Sequence, residues 1–191
     1  MSLRTFTRLP LVRPAVLSAR PALLSASRPF HTTRAVPVRV GDPVPDIDLV
    51  EDSPGNKVNL AEEFSGSDGI IVGVPAAFSG ACSSSHVPSF MNHPKLRDAG
   101  RVFVVSVNDP FVMKAWSEQL DPAKQTGIRF LGDPSAAFTK ALELDFDGTA
   151  IFGGPRGKRY ALVIEDGHVA AAYVEPDNIG TTVSMARNVL G

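Results

Sequence analysis

Three short apolar runs divide the body of the chain, at residues 70–78, 102–107 and 128–131. Each run is almost continuously apolar over the length of one strand, which favours strands that are buried on both faces of a sheet. The segments that follow the runs indicate helices, two of which open with an Asp-Pro pair. These helices are predicted at residues 82–91, 94–99, 109–120 and 133–142.

Turn signals outside these runs predict two β-hairpins. One turn lies at residues 52–56, and the other is Asp166-Gly167, a dipeptide that favours the tight turns of hairpins. The spacing from Asn59 to Glu62 is that of a capping box, which predicts a short helix before the first apolar run. The hairpin strands and a closing helix are predicted at residues 47–50, 57–60, 160–165, 169–174 and 181–190.

The order of these elements predicts the fold class. Strands that alternate with helices are expected to be parallel, whereas the strands of the final hairpin must be antiparallel. We therefore expect an α/β protein in which a central mixed β-sheet is flanked by helices on both faces. A thioredoxin-like fold is one arrangement with this order, and it commonly presents a reactive cysteine where a strand leads into a helix.

Charged residues are unevenly distributed along the 191-residue chain. Residues 1–41 contain seven arginines and neither aspartate nor glutamate, whereas the remainder has 12 Lys plus Arg against 20 Asp plus Glu. The acidic body argues against a nucleic-acid-binding surface. No stretch of the sequence approaches the roughly 20 apolar residues of a membrane span.

The first 37 residues have the composition of a mitochondrial transit peptide, rich in Arg, Ser, Leu and Ala. Arginine and proline interrupt every apolar stretch there, which argues against a secretory signal. Arg28, Phe30 and Thr33 resemble a signal for two-step cleavage in the mitochondrial matrix, with the mature N-terminus near Val38. We therefore expect a leader at residues 1–37 and one domain at residues 38–191. A basic arm that binds anionic lipid or RNA is the alternative for the leader.

Cys82 is the only cysteine of the chain, and it lies between the first apolar run and the helix that follows. A strand-to-helix turn directs backbone N–H groups and the positive end of the helix dipole at the sulfur, which favours the thiolate. A single cysteine excludes an intrachain disulfide and a multi-cysteine zinc site, and it suits a reducing compartment. With only four histidines, we expect no metal site. The alternative is a cysteine that only fills space in the core.

Four other side chains are candidates for a site around Cys82. Ser79 can donate a hydrogen bond to the thiolate or to an incoming oxygen, and Pro75 can shield the sulfur from water. Because no cation lies close in sequence, Arg159, which opens a predicted strand, is the candidate cation. His86 shares a helix face with Cys82 and is a candidate base. A histidine at this spacing more often packs against the helix or bonds a backbone carbonyl.

A long series of sequence blocks points to one family. The block from Gly73 to Pro88 contains Cys82 and the nearby candidate site residues Pro75, Ser79 and His86. Further blocks lie before and after it along the chain. They lie at residues 40–45, 54–60, 106–112, 131–134, 158–160, 163–167 and 174–176. Together they resemble the peroxiredoxins, specifically the peroxiredoxin-5 type, over about residues 38–191. The resemblance implies a thioredoxin-like fold.

The resemblance also implies a role for each candidate residue. Cys82 would be the peroxidatic cysteine, whose thiolate attacks the O–O bond of hydrogen peroxide or an organic hydroperoxide and becomes a sulfenic acid. Ser79 stands where the family has Thr or Ser, and it would bond the peroxide oxygens. Pro75 would shield the pocket. Arg159 would stabilise both the thiolate and the charge of the transition state.

Partners follow from the same resemblance. Some family members resolve the sulfenic acid with a second cysteine of their own, which this chain lacks. We expect no bound cofactor but an external thiol reductant, which is glutathione, with or without glutaredoxin, or thioredoxin. The family forms non-covalent dimers, so we expect a homodimer. Two alternatives stay open: a peroxide sensor that relays oxidation to a partner protein, and a catalytically silent thioredoxin-fold binding module.

Overall fold

Nine strands form in the computed structural model, which describes residues 37–191. The predicted leader therefore lies outside the described residues as far as residue 36. The strands are β1 (Asp48–Glu51), β2 (Ser53–Asn59), β3 (Gly69–Val74), β4 (Arg101–Ser106), β5 (Arg129–Gly132), β6 (Asp145–Phe146), β7 (Arg156–Gly157), β8 (Tyr160–Glu165) and β9 (His168–Val174).

Helices are short apart from one. The α-helices are α1 (Leu60–Glu63), α2 (Val87–Met91), α3 (Pro110–Leu120), α4 (Ala137–Ala141), α5 (Thr149–Phe152) and α6 (Ala186–Val189). A π-helical turn, Cys82–His86, leads directly into α2, and a 3₁₀ helix, Pro94–Asp98, follows α2. Among residues 37–191, no helix is both long and apolar enough to cross a membrane.

The sheet is mixed, as the order of elements predicts. Its seven strands lie in the order β2-β1-β5-β4-β3-β8-β9, and β6 pairs only with β7. The apolar runs supply the three central strands β3, β4 and β5, which are parallel. The two hairpins, β1–β2 and β8–β9, are antiparallel and lie at the two edges. The α/β prediction is confirmed.

Both faces of β3 are covered, because all six of its residues are buried. Ile71 packs in one core with Phe103 of β4, while Val72 packs in a second core on the other face. The second core also holds Trp116 of α3 and Cys82. The sulfur therefore lies against the face of the sheet that α2 and α3 cover.

The first apolar run is not a strand over its whole length. β3 ends at Val74, four residues before the end of the predicted strand. Pro75 follows at once, and because proline has no N–H it cannot continue the hydrogen-bond ladder. The chain then turns, and Phe78 takes a left-handed backbone conformation with a φ of +60°. This early end puts Ser79 and Cys82 beyond the carboxyl end of β3.

Two helices are shorter than the sequence predicts. The helix predicted from residue 133 begins only with α4, since the Asp133 carboxylate accepts the N–H groups of Phe138 and Thr139. The helix predicted at residues 181–190 is reduced to α6. Met185, directly before α6, has an extended backbone with a ψ of 148°, and the amides of Thr182 and Ser184 before it donate to Glu175.

The turn predictions fare differently. Asp166 and Gly167 both have positive φ, +45° and +74°, as a two-residue hairpin turn requires, so this prediction is confirmed. The first hairpin forms, but its turn is shorter than predicted, because β2 already begins at Ser53 and Asp52 alone has a positive φ of +60°. Asn59 accepts the N–H of Ala61 and caps α1 as predicted.

Candidate active site

Cys82 lies at the start of the helical segment that follows β3. The backbone N–H of Ser83 already donates to the Ser79 carbonyl, so the first helical turn begins just before the cysteine. The N–H of Val87 donates to the Cys82 carbonyl five residues earlier, which is the bond of a π-helix. The cysteine is completely buried. Because the first turn begins just before it, the cysteine lies where the helix dipole favours negative charge.

A hydroxyl contacts the sulfur from the preceding loop. Ser79 Oγ lies 2.9 Å from Cys82 Sγ and 2.9 Å from the carbonyl oxygen of Ala76. Because the hydroxyl has a single proton, it can donate to only one of these acceptors at a time. A thiolate is a charged acceptor, and charge-assisted hydrogen bonds are the stronger ones. The hydroxyl is therefore in position to donate a hydrogen bond to the sulfur.

A guanidinium from a distant part of the sequence contacts the same sulfur. Arg159 Nη1 lies 3.4 Å from Cys82 Sγ, although the two residues are 77 positions apart. Arg159 immediately precedes β8, whose first residue pairs with Gly73 of β3, and this register brings it to the carboxyl end of β3. Its Nε donates to the Ile179 carbonyl at 3.0 Å.

The charge of Arg159 is not neutralised by a carboxylate within the described part of the chain. The ion pairs found among residues 37–191 involve Lys57, Arg101 and Arg129, not Arg159. The residue is also 98% buried, with a relative exposure of 2%. A buried and unneutralised cation is thus directed at the sulfur, where little solvent screens its charge.

Pro75 is buried and begins the loop that connects β3 with Ser79. The loop is held from outside by Asn108, whose Oδ1 accepts the Ala77 N–H at 3.0 Å and the Ser106 hydroxyl at 2.8 Å. The sequence analysis did not identify Asn108. A polar residue just after a predicted strand, before the Asp-Pro pair of the next helix, is the signal that could have indicated it.

Among the described residues His86 forms no hydrogen bond with Cys82; it bonds a backbone carbonyl instead. Its Nε2 lies 3.0 Å from the Ser184 carbonyl oxygen, which is only an acceptor, so Nε2 carries the proton. Nδ1 is buried and has no hydrogen-bond partner among the described residues. Burial, followed by the nearby charge of Arg159, lowers the pKa of His86 to about 4. The ring is therefore neutral near pH 7, and its packing role agrees with the more common behaviour at this spacing.

Two further residues join the site through long-range contacts that the sequence analysis missed. Trp116 donates from Nε1 to Ser83 Oγ at 3.0 Å, and Ser83 directly follows the cysteine. Glu175, which is 99% buried with a relative exposure of 1%, binds the segment that supplies the Ile179 and Ser184 carbonyls. Neither contact has a local pattern that would predict it. Among the described residues, no group of three or more His, Cys, Asp or Glu side chains could hold a metal ion.

The arrangement is suited to one kind of chemistry. A thiolate held by a hydroxyl donor and a guanidinium is a nucleophile whose neighbours can also bind the oxygens of an incoming group. The same two donors would stabilise negative charge on a departing oxygen without moving, because they are already in position. The site thus fits nucleophilic attack by sulfur on an electrophilic atom that has an oxygen leaving group.

Comparisons with known proteins identify the family of this chain. The Redoxin family model matches residues 39–190. The chain is 37% identical over 156 residues to peroxisomal membrane associated protein 20 of Schizosaccharomyces pombe, covering 80% of this chain and 97% of that protein. It is 39% identical over 135 residues to the mitochondrial peroxiredoxin-2F of Arabidopsis thaliana, covering 69% of this chain and 66% of that protein.

Solved structures give the same result. Peroxiredoxin 5 from Alvinella pompejana is 34% identical with a TM-score of 0.68, covering 75% of this chain and 93% of that one. Reduced Prx3 from Vibrio vulnificus, in complex with H2O2, is 35% identical with a TM-score of 0.72, covering 80% and 97%. Since the family model, the relatives and the solved structures all lead to the same group, the chain belongs to the peroxiredoxins, and within them to the peroxiredoxin-5 type.

Proposed function

We propose that this protein reduces hydrogen peroxide and organic hydroperoxides through Cys82. Peroxiredoxins are thiol-dependent peroxidases that serve antioxidant defence and redox homeostasis, and the family supports that general activity here. The single observation that carries the specific proposal is the position of Cys82 Sγ, which lies 2.9 Å from Ser79 Oγ and 3.4 Å from Arg159 Nη1. These two donors are in position to bond a thiolate and the oxygens of a peroxide.

The first step is a two-electron oxidation of the sulfur. The thiolate attacks the outer peroxide oxygen, an S–O bond forms, and the O–O bond breaks with both of its electrons going to the leaving oxygen. The hydroxyl on the attacked oxygen becomes that of the Cys82 sulfenic acid. The leaving alkoxide or hydroxide takes a proton from water, so that an alcohol or water is released.

Ser79, Arg159 and Pro75 have separate tasks in this step. The Ser79 hydroxyl donates to the thiolate and then to a peroxide oxygen that replaces its contact with sulfur. Arg159 offers a fixed positive charge to the thiolate and to the negative charge that develops on the oxygens. Buried Pro75, which has no N–H, limits water at the start of the loop.

The second step requires a thiol from another molecule. Since the chain has one cysteine, it cannot form an intrachain disulfide with the sulfenic acid. We propose a one-cysteine mechanism in which an external thiol condenses with the sulfenic acid, releasing water. A second thiol then releases Cys82 and leaves as a disulfide. Glutathione, with or without glutaredoxin, is the first candidate, and thioredoxin is the second; no bound cofactor takes part.

We also propose that the domain at residues 38–191 acts in mitochondria after removal of residues 1–37. The acid-free, arginine-rich composition of the leader supports this, as does the mitochondrial relative. Another relative is named for the peroxisomal membrane, which gives the experiment a second outcome. Microscopy of a C-terminal fluorescent fusion distinguishes the two organelles, and sequencing of the mature N-terminus tests cleavage near Val38.

A homodimer is part of the proposal. Phe78 and Ile179 are apolar side chains with relative exposures of 48% and 44%, and they lie in the segments that carry Ser79 and hold Arg159. Such exposed apolar residues beside the site support the dimer that the family leads us to expect. Light scattering coupled to size exclusion should give twice the chain mass, and a monomeric mass would reject the dimer.

The decisive assay is peroxide consumption with each candidate thiol, measured for the wild type and for Cys82→Ser. The proposal expects turnover with at least one thiol and none in Cys82→Ser. Turnover that survives in Cys82→Ser would reject the mechanism. Rapid oxidation of one thiol per chain, without turnover under any reductant, would favour a peroxide sensor, and no reaction at all would favour a silent binding module.

A further inference from the structure

Glu175 is the most completely hydrogen-bonded carboxylate near the site. It directly follows β9, and its relative exposure is only 1%. Its Oε1 accepts from the N–H groups of Thr182, Val183 and Ser184 and from the hydroxyl of Ser184, and its Oε2 accepts from the hydroxyl of Thr182. Although burial alone would raise it, these hydrogen bonds lower the pKa of Glu175 to about 2. The group is therefore ionised under physiological conditions.

The segment that Glu175 holds supplies two carbonyl groups to the active site. The Ile179 carbonyl accepts from Arg159 Nε at 3.0 Å, and the Ser184 carbonyl accepts from His86 Nε2 at 3.0 Å. We call residues 177–184 the clamp loop. Its position is fixed at one end by the Glu175 carboxylate, which binds residues 182–184.

The other end of the clamp loop is fixed to Arg159 itself. The Arg159 N–H donates to the Asn178 carbonyl at 2.7 Å, and the Glu175 N–H donates to the Arg159 carbonyl at 3.0 Å. Arg159 and Glu175 are thus opposite one another just outside the β8–β9 pair, where Tyr160 pairs with Val174. The clamp loop is therefore hydrogen-bonded to Arg159 near its first residues and to the Glu175 carboxylate near its last residues.

These hydrogen bonds explain why the Glu175 carboxylate does not neutralise Arg159, although the two residues are neighbours across the β8–β9 pair. All the hydrogen bonds that Glu175 accepts come from the clamp loop, and it forms no ion pair with Arg159 within the described residues. The guanidinium is planar, so the bond from its Nε to Ile179 fixes the direction of its Nη1 atom. Nη1 is the atom that contacts Cys82 Sγ.

We propose that Glu175 is a positioning residue for the oxidation of Cys82. Its carboxylate holds the clamp loop in the shape that aims Arg159 at the sulfur and that bonds His86, four residues after the cysteine, through the Ser184 carbonyl. The inference rests on the proposed function, because it concerns the same thiol. Glu175 touches neither the sulfur nor the peroxide, so its effect passes entirely through Arg159 and His86.

Two substitutions in the full chain separate positioning from charge. Glu175→Ala removes every contact to the clamp loop. Glu175→Gln keeps one oxygen for the N–H groups and the Ser184 hydroxyl, while its NH₂ group can donate to Thr182 Oγ1, which then accepts. Asp133→Ala is the matched control, since that carboxylate is also buried and also binds amides, but it holds α4 instead.

Each variant is measured in two ways. The rate constant for oxidation by hydrogen peroxide reports the reaction, and the pH dependence of Cys82 alkylation by iodoacetamide reports the thiolate without any peroxide. We expect Glu175→Ala to react about tenfold or more slowly, because misplaced catalytic groups cost at least that much. Its alkylation midpoint should rise by about one pH unit, the lower end of the effect of a nearby charge. Glu175→Gln should remain within about threefold of the wild type, and Asp133→Ala should keep the wild-type midpoint.

Several results would overturn the proposal. A folded Glu175→Ala protein with the wild-type rate and midpoint would do so, as would a Glu175→Gln protein that is as impaired as Glu175→Ala. If Asp133→Ala shifted the alkylation midpoint by the same amount, the effect of Glu175→Ala would be attributed to a general loss of stability. If Glu175→Ala does not fold, the double variant Thr182→Val/Ser184→Ala removes only the two hydroxyl donors. It should then shift the midpoint upward by a smaller amount, and an unchanged midpoint rejects the proposal.

Failure of the proposed function would look different. In that case wild-type protein would not consume peroxide with any thiol, or Cys82→Ser would consume it. Alkylation of Cys82 would still be measurable in both cases. An active wild type together with an unaffected Glu175→Ala protein would therefore reject the positioning role alone.

Discussion

Arg159 and Arg129 lie at opposite ends of the parallel strands and have opposite surroundings. Arg159, at the carboxyl end of β3, is 2% exposed and contacts a carbonyl and a sulfur. Arg129, the first residue of β5, has a side chain that is 36% exposed and donates to Glu51 and Glu63. The hydrogen bonds with Glu51, more than any other contact, raise the pKa of Arg129.

This difference indicates which of the two arginines has a charge that is free to interact with a substrate. The charge of Arg129 is divided between two carboxylates, and half-exposed ion pairs of this kind contribute little to stability. The charge of Arg159 has no carboxylate partner among the described residues and lies where solvent cannot screen it. Burying such a charge costs free energy, and this charge lies 3.4 Å from the sulfur that the proposed mechanism uses as a thiolate.

Removal of each arginine should give the largest contrast. We expect Arg159→Ala to lower the rate constant for oxidation by peroxide about 10²- to 10³-fold, since a preorganised donor to developing charge is lost. Arg129→Ala should remain within about threefold of the wild type, because its charge acts at the far end of the sheet. Stopped-flow measurement of peroxide reduction compares the two variants directly. Equal rates in them would remove the distinction between the two arginines.

Acid should destabilise the protein mainly through the site end of the sheet. The folded pKa of His86, about 4, lies below its unfolded value of 6.5, so the unfolded chain binds a proton that the folded chain does not. The free energy of unfolding should therefore fall by about 3 kcal/mol as the pH decreases from 6.5 to 4. Glu175, with its pKa lowered to about 2, adds a loss of the same sign below its usual value of 4.5.

Urea unfolding at several pH values measures this dependence. His86→Gln should abolish most of the decrease between pH 6.5 and 4, although it lowers stability at every pH. His168→Gln replaces an exposed histidine and should keep the wild-type dependence. If His86→Gln follows the wild-type curve in this range, the assignment of the acid-sensitive group is wrong.

The hydroxyl contact should have an intermediate effect. Ser79→Ala removes the donor 2.9 Å from Cys82 Sγ, and a hydrogen bond to a charged group contributes about 1.5–3 kcal/mol. The rate constant for peroxide reduction should thus fall at least about tenfold, and Ser79→Thr should restore most of it. Ser84→Ala, whose hydroxyl binds the Gly80 carbonyl instead, is the control and should react at the wild-type rate. A Ser79→Ala enzyme with full activity would contradict the role of this donor.

The ion pairs at the far end should matter least. Glu63→Ala breaks contacts to both Arg129 and Arg101, whose side chain is 51% exposed. We expect a loss of about 1 kcal/mol or less in the free energy of unfolding and no change in the peroxide rate. Urea unfolding and the stopped-flow assay check the two statements. A large loss of activity would mean that the two ends of the sheet are coupled.

Local patterns were sufficient for the parts of the fold that depend on near neighbours. The continuous apolar runs gave the three parallel strands, and Asp166-Gly167 gave its hairpin, because a run of buried residues and a two-residue turn are each determined over a few positions. Cys82 and Ser79 are three residues apart, so their contact also follows from local sequence.

Other features depend on contacts that local sequence does not contain. The helix predicted at residues 181–190 is mostly absent, and the segment before α6 is held instead by Glu175, which binds the amides of Thr182 to Ser184. Arg159 reaches Cys82 across 77 positions only through the pairing of β8 with β3. Its place at the start of a predicted strand made it a candidate, and the family resemblance gave it a role, but no local spacing indicates the contact. The π-helical turn at Cys82–His86 likewise has no pattern that would predict it.

The central claim is that peroxide oxidises this chain at the Sγ atom of Cys82. Trp116 is the only tryptophan, and its Nε1 bonds Ser83 beside the cysteine, so its fluorescence reports the site. The direct test mixes the reduced chain with one equivalent of hydrogen peroxide, follows Trp116 fluorescence, and traps the product with dimedone for mass spectrometry. We predict one dimedone adduct, on Cys82, formed at the rate of the fluorescence change, and neither signal in Cys82→Ser. Peroxide loss at the wild-type rate in Cys82→Ser, or an unmodified Cys82 after the peroxide is consumed, would contradict the account.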